Sequence, residues 1–321
     1  MPLVDNPAGV SVVEKPLPHR PLVIAHRGAS ALAPENTLRA FRMASALDAD
    51  GVEFDVQLSG DGHPVVIHDR TLKRTTNGFG PVSRYTAAEL SKLDATSWFD
   101  RRLSIRPRVR AKVHRVLSLA NGFDWGTQTE GVATLEAVLA ALKAAGLRRI
   151  YIELKGVPET REDLLRGVVR HVRRFNLQGS ARVISFHHDI LRRSAEIASD
   201  IRTGINVPAP IRALPVTRTI IKAAEDAGAS EVSLHFSLAT SRMVGALHEQ
   251  GLEVAAWTAN RKLVMRRLVV SEVDAIMSNF PDRLRDIVES PPKARFVGRA
   301  RARQRAEASG KGRQHRRHYM A

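Results

Sequence analysis

The sequence predicts an α/β protein, a closed (β/α)₈ barrel of the TIM type, and three observations predict it. Eight short β-branched or apolar runs alternate with amphipathic stretches, the pattern of a parallel sheet covered by helices. The chain has 321 residues, room for one barrel of roughly 250 residues with extensions. Hydrophobic residues make up 43% of it, enough to bury a sizeable core.

The strand runs are, in order, Leu22 to Ala25, Val52 to Leu58, Ile150 to Leu154, Arg182 to Phe186, Arg202 to Val207, Glu231 to Phe236, Glu253 to Thr258 and Ala275 to Ser278. Between them, Thr37 to Leu47, Thr134 to Ala145, Asp163 to Phe175 and Ser241 to Gln250 carry apolar residues at three- and four-residue spacing, as one face of a helix does. Eight such units favour a closed barrel over an open doubly wound sheet. One run breaks the alternation. Pro64 to His68 follows the second strand across Ser59-Gly60-Asp61-Gly62, a turn sequence. It is expected to fold back antiparallel as an arm above the barrel rim, which would bring His68 near the end of strand two.

The barrel is expected to occupy residues 21–289, with an insertion subdomain at 70–133 after the hairpin arm. Arg101, Arg102, Arg106, Arg108, Arg110, Lys112 and Arg115 follow one another there with no acid between 101 and 115. The run reads either as a solvated positive face or as a cover over an anionic substrate. Residues 1–20 read as a loose lead-in and 290–321 as a basic, disordered tail. From Pro291 onward ten Lys and Arg face the single acid Glu307, so the tail holds +9 of the net charge of +17. The overall charge is therefore not a nucleic-acid signature of the barrel.

There are no cysteines, which excludes disulfides, thiolate nucleophiles and Cys-ligated metals. Any metal must sit on oxygen or imidazole. No run approaches the roughly 18 consecutive apolar residues of a membrane-spanning helix. The first twenty residues lack a basic stretch followed by an apolar core, so the expected address is cytoplasmic.

The chemistry lies at the strand ends. In Gly51-Val52-Glu53-Phe54-Asp55-Val56 the two acids are two residues apart and share one face of the strand. With Val52, Phe54 and Val56 turned toward the helices, that face points into the barrel, where two negative charges need a cation between them. Tyr151-Ile152-Glu153-Leu154-Lys155 repeats the pattern and supplies a third carboxylate. Three oxygen ligands suit Mg²⁺ or Ca²⁺ better than zinc. His26-Arg27-Gly28 closes the first strand and His68-Asp69 closes the hairpin arm. Two imidazoles can divide acid and base work in cleaving a phosphodiester, while Arg27 and Lys155 can hold phosphate oxygens. His63, His114, His187, His188 and His235 are read as surface or packing residues.

Taken in order, His26-Arg27-Gly28-Ala29, Pro34-Glu35-Asn36-Thr37, Glu53-Phe54-Asp55, Asp61-Gly62, His68-Asp69, Arg74-Thr75-Thr76-Asn77, Glu153-Leu154-Lys155, Ser185-Phe186, Trp257-Thr258-Ala259-Asn260 and Ser278-Asn279-Phe280-Pro281-Asp282 resemble the glycerophosphodiester phosphodiesterase family. The resemblance covers about residues 21–289. It implies an α/β barrel with a small insertion after the second histidine motif. It also implies that Glu53, Asp55 and Glu153 bind a divalent cation, Mg²⁺ or Ca²⁺. His26 and His68 would be acid and base in either order, Arg27 and Lys155 would contact phosphate, and Trp257 would line the substrate pocket. Glu35 matches a family position near the site. The implied reaction hydrolyses a small-molecule glycerophosphodiester to glycerol 3-phosphate and an alcohol. The glycerol hydroxyl attacks phosphorus, and water opens the cyclic phosphate. Glu272-Val273-Asp274-Ala275 and Ala133-Thr134-Leu135 depart from the family pattern away from these positions, and the insertion is longer and more basic than usual.

Two other functions fit parts of the sequence. The same barrel could act on acyl-bearing lipid headgroups, as a lysophospholipase D does. Alternatively, the basic tail could contact an anionic membrane or nucleic acid, with strong salt dependence. The sequence does not fix an oligomeric state.

Overall fold

The computed structural model describes residues 20–104, 129–209 and 217–290. The lead-in, most of the basic run of the insertion and the basic tail lie outside the described residues.

Nine strands form one sheet: β1 (Leu22–His26), β2 (Gly51–Leu58), β3 (Pro64–Val66), β4 (Arg149–Leu154), β5 (Ala181–Ser185), β6 (Arg202–Val207), β7 (Glu231–His235), β8 (Glu253–Trp257) and β9 (Ala275–Ser278). Their order is β1-β9-β8-β7-β6-β5-β4-β2-β3, and β1 also pairs with β2. That last pairing, Ile24 opposite Gly51 and His26 opposite Glu53, closes eight parallel strands into the predicted barrel. β3 is the ninth and runs antiparallel to β2, with Val56 opposite Val66 and Leu58 opposite Pro64. It is the predicted arm, three residues long rather than five. The amide of Ile67 still donates to the Asp55 carbonyl at 3.0 Å, so the chain stays on strand two as far as His68.

The helices follow from local chemistry. Thr37, Thr134 and Thr240 each accept a hydrogen bond from the amide three residues on, satisfying donors that a helix start leaves free. The helices that follow, Leu38–Ala46, Leu135–Ala144 and Ser241–His248, match three of the predicted segments. The fourth runs from Arg161 to Arg174. Outward-facing strand residues such as Val52, Phe54, Val56, Ile150 and Ile152 pack with helix residues such as Phe41, Leu139 and Leu165 in the main core. Phe41 meets Phe54 edge to face at 5.5 Å.

Inside the barrel, Ile24, Tyr151, Ile184, Ala255, Ala275 and Met277 form a plug. It separates two polar ends. Toward the starts of the strands, Arg149 and Arg182 lie among Glu231 and Glu253, with Arg149 at 3.2 and 2.9 Å from the two acids. Toward the strand ends lies the predicted site. Between β3 and the helix at Leu135, the described part of the insertion holds the short helices Ala87–Leu90 and Ser97–Ser104. A satellite core that includes Val65, Ile67, Leu72 and Leu90 fastens it to the arm. Among the described residues no helix is long and apolar enough to cross a membrane.

Candidate active site

Strand alternation puts Glu53 and Asp55 on the inner face of β2, and Glu153 comes alongside because it is the register partner of Asp55. One ligand atom from each of the three lies within 4.8 Å of the others. The three residues are 2%, 1% and 8% exposed. Burial, then the Asp55 and Glu153 charges, push the Glu53 carboxyl well above its usual range. Burial and then Asp55 push Glu153 up to about 7. Asp55 goes the other way: burial opposes its ionisation, but Arg27 and Lys155 outweigh burial and hold it low.

Two fixed cations already touch the cluster. Arg27 Nε lies 3.1 Å from Asp55 Oδ2, and Lys155 Nζ lies 3.1 Å from Asp55 Oδ1 and also against Glu153 Oε1. Among the described residues, the five carboxylates of Glu35, Glu53, Asp55, Asp69 and Glu153 are joined to the three cations Arg27, Arg74 and Lys155. Were all five ionised, as a bound cation would favour, the group would be two positive charges short, the charge of one divalent ion. An all-carboxylate donor set with two carboxyls that resist ionising alone fits a hard cation such as Mg²⁺ or Ca²⁺.

The loop after β1 is shaped to reach this cluster. Arg27 has a left-handed backbone, φ 56°, unusual for a residue with a Cβ. That turn points its amide at the Glu53 carbonyl, 2.8 Å, and the Glu53 Oε2, 3.1 Å. His26 Nδ1 bonds Asn279 Oδ1 at 2.7 Å; an amide oxygen accepts, so Nδ1 carries the proton and Nε2 keeps its lone pair. His26 Nε2 sits 3.7 Å from Glu53 Oε2. Burial and then Arg27 push His26 down to about 4.

His68 reaches the site from the arm. Gln57, inward-facing two residues beyond Asp55, donates to the carbonyls of Ile67, His68 and Asp69 at 2.9, 3.0 and 2.8 Å and so pins the turn that carries the imidazole. His68 Nδ1 bonds Asp69 Oδ1 at 2.6 Å. Arg74 hydrogen bonds hold Asp69 down to about 2, against burial, with help from His68. Arg74 also grips both Glu35 oxygens at 2.8 Å, and Glu35 Oε1 takes Arg27 Nη1 at 2.9 Å. Glu35 thus links two arginines and lines a smaller neighbouring space.

A cavity of about 150 Å³ brings together His26, Arg27, Glu53, His68, Glu153, Lys155 and Trp257. Asp55 lies beneath it through Arg27 and Lys155. Trp257 forms part of the wall, its indole nitrogen donating to the Ser233 carbonyl at 2.9 Å, with Phe186 and His235 edge-on at 5.5 and 5.4 Å. His235, set aside on sequence, stands behind Trp257 rather than in the cavity. A larger cleft of about 790 Å³ between the hairpin turn and the helix at Arg161–Arg174 contains none of the predicted site residues.

Sequence reasoning gave no role to Asn36, Gln57, Arg74 or Asn279. Asn36 is buried and donates to Asp55 Oδ2 at 2.9 Å. All but Gln57 fall inside the quoted motifs, which was the available signal. Gln57 continues the inward alternation of Glu53 and Asp55, which could have found it.

The chain is similar to known proteins along most of its length. The Bacillus subtilis (strain 168) protein YhdW is 34% identical over 261 residues, 81% of this chain and 95% of that one. The glycerophosphodiester phosphodiesterase of Caldanaerobacter subterraneus subsp. tengcongensis is 29% identical over 267 residues, 83% of this chain and 97% of its own. An Oleispira antarctica phosphodiesterase, solved in complex with the product sn-glycerol-3-phosphate, superposes with a TM-score of 0.69 at 28% identity, covering 84% of this chain and 97% of that one. The model of the glycerophosphoryl diester phosphodiesterase family matches residues 26–283, from the first histidine of the site to the helix after β9, and the chain belongs to that family.

Proposed function

We propose that this protein hydrolyses glycerophosphodiesters to glycerol 3-phosphate and an alcohol, with one divalent cation held by Glu53, Asp55 and Glu153. The observation that carries the reading is a cluster of three buried carboxylates, two of which line one cavity together with two imidazoles. When bound, the cation supplies Lewis-acid stabilisation of charge on the phosphoryl oxygens. Arg27 and Lys155 bind the remaining phosphate charge, and Glu35 keeps the Arg27 guanidinium in place.

The two histidines differ in their Nδ1 partners, which supports a division of labour. His26 faces a neutral amide and stands beside Arg27, so its neutral form is favoured and Nε2 takes the proton of the attacking glycerol hydroxyl. His68 faces the Asp69 carboxylate, which orients the ring so that its other nitrogen can pass a proton to the departing alkoxide. In the second half the roles reverse, and water opens the cyclic phosphate. Trp257 walls the substrate away from bulk solvent.

The test is release of glycerol 3-phosphate from glycerophosphocholine, with and without chelator, by the parent and by Glu53→Ala. Loss of turnover in chelator, restored by Mg²⁺ or Ca²⁺ in the parent but not in the variant, is the expected result. Chelator-resistant turnover would remove the metal from the proposal. Choline release from lysophosphatidylcholine in the same assay tests the lipid reading, and deletion of residues 291–321 tests a polyanion role for the tail.

A further inference from the structure

The cavity has two chemically different walls. β1, β2 and β4 contribute His26, Arg27, Glu53, Glu153 and Lys155. Across the ring of eight strands, β6 and β7 contribute Asn206 and Ser233, which are register partners and therefore neighbours on the inner face. Both residues are buried, 4% and 0% exposed. Asn206 Oδ1 and Ser233 Oγ have no hydrogen-bond partner among the described residues. The side-chain NH₂ of Gln57, another inward amide, is by contrast taken up by three carbonyls.

Buried polar groups without partners are costly, and at the wall of a binding cavity the partner is expected from the ligand. The chemistry selects which part of the ligand. An uncharged amide beside an uncharged hydroxyl cannot compete with Arg27 and Lys155 for a phosphate. It can pair with a neutral alcohol, which both donates and accepts. We propose that Asn206 and Ser233 form the subsite that reads the glycerol hydroxyl left free when the neighbouring hydroxyl attacks phosphorus. The inference rests on the diesterase reading above. It makes substrate choice depend on a third oxygen rather than on the phosphodiester alone.

The experiment compares two diesters with the same leaving group, one of glycerol 3-phosphate and one of propane-1,2-diol 1-phosphate, which keeps the attacking hydroxyl and lacks the other. The parent should prefer the glycerol diester in kcat/KM by roughly 10- to 100-fold. In Asn206→Leu, close to isosteric, and in Ser233→Ala, that ratio should fall toward one. Calorimetric titration with sn-glycerol 3-phosphate and with propane-1,2-diol 1-phosphate should give the same ranking of affinities in the parent and its loss in the variants. A parent that hydrolyses both diesters equally, or variants that slow both by the same factor, would overturn the subsite and leave the diesterase reading standing. A parent inactive on both would overturn that reading instead. If Asn206→Leu does not fold, the parent ratio and Ser233→Ala still decide.

Discussion

Asn36 combines two features that a single substitution would separate. Its backbone is left-handed, φ 60°, and its buried amide donates to the Asp55 carboxylate. Asn36→Gly removes the hydrogen bond and suits the backbone, whereas Asn36→Ala removes the bond and adds strain of about 1 kcal/mol. Both should weaken divalent-cation binding by roughly 10-fold or more, because partners that orient ligands matter at that level. Both should also lose stability in chelator through the missing buried hydrogen bond, the Ala variant by about 1 kcal/mol more. Metal titrations followed by thermal melting check this, and parent-like metal binding in both would show that Asn36 does not set the Asp55 geometry. His26→Ala and His68→Ala should each lower turnover by roughly 10²- to 10⁴-fold with melting temperatures near that of the parent; a variant retaining near-normal turnover would remove that histidine from catalysis. The acids were readable in the sequence because strand alternation fixes which side chains point inward, and the histidines because one closes the first strand and the other the hairpin arm. Asn36, Asn279 and Arg74 were not, because an amide or guanidinium acquires its role only from a partner far along the chain, 253 residues away for Asn279 and His26.

The eight barrel strands and the four helices named from the sequence were legible to within a residue or two at most ends, since each is a run of apolar residues bounded by turn or cap chemistry. The insertion was less so: its helix Ala87–Leu90 has four residues, too short for a period to register, and is fixed by the Thr86 and Glu89 capping box rather than by amphipathicity. Glycine positions give the element-scale prediction. A Cβ on Gly51, at the start of β2, would stand 2.1 Å from the Arg149 carbonyl oxygen on β4, while one on Gly62 in the hairpin turn, φ 77°, would meet nothing within 4 Å. Gly51→Ala must therefore move a strand and should cost about 3 kcal/mol or more. Gly62→Ala meets only backbone strain, about 1 kcal/mol. Urea unfolding of both variants measures the order. Equal losses would mean that β2 and β4 can part at that point without disturbing the barrel.

At the scale of the whole molecule the barrel is a tube with two ionic ends and an apolar plug, and the end away from the active site makes its own prediction. Glu231 begins β7 and is 1% exposed, 3.2 Å from Arg149. Burial pushes its carboxyl up to about 7, although Arg149 pulls the other way. Glu253 is half-buried. Burial opposes its ionisation too, but its hydrogen bond with Arg149 prevails and keeps it low, so the arginines serve the more exposed acid first. A folded-state value above the unfolded one means that the native protein holds this proton longer. The stabilisation from Glu231 is complete below about pH 4.5 and is lost as pH rises through about 7. The span corresponds to roughly 3 kcal/mol. Glu231→Gln mimics the protonated side chain at every pH. It should match the parent near pH 4.5 and exceed it in stability at pH 8. Both proteins are unfolded in urea with chelator present, so that the carboxylates at the opposite end titrate alike and cancel in the difference. The opposite sign at pH 8, with the glutamine variant the weaker, would mean that Glu231 is an ionised partner of Arg149 and that this end of the barrel is held by charge pairs rather than by a retained proton.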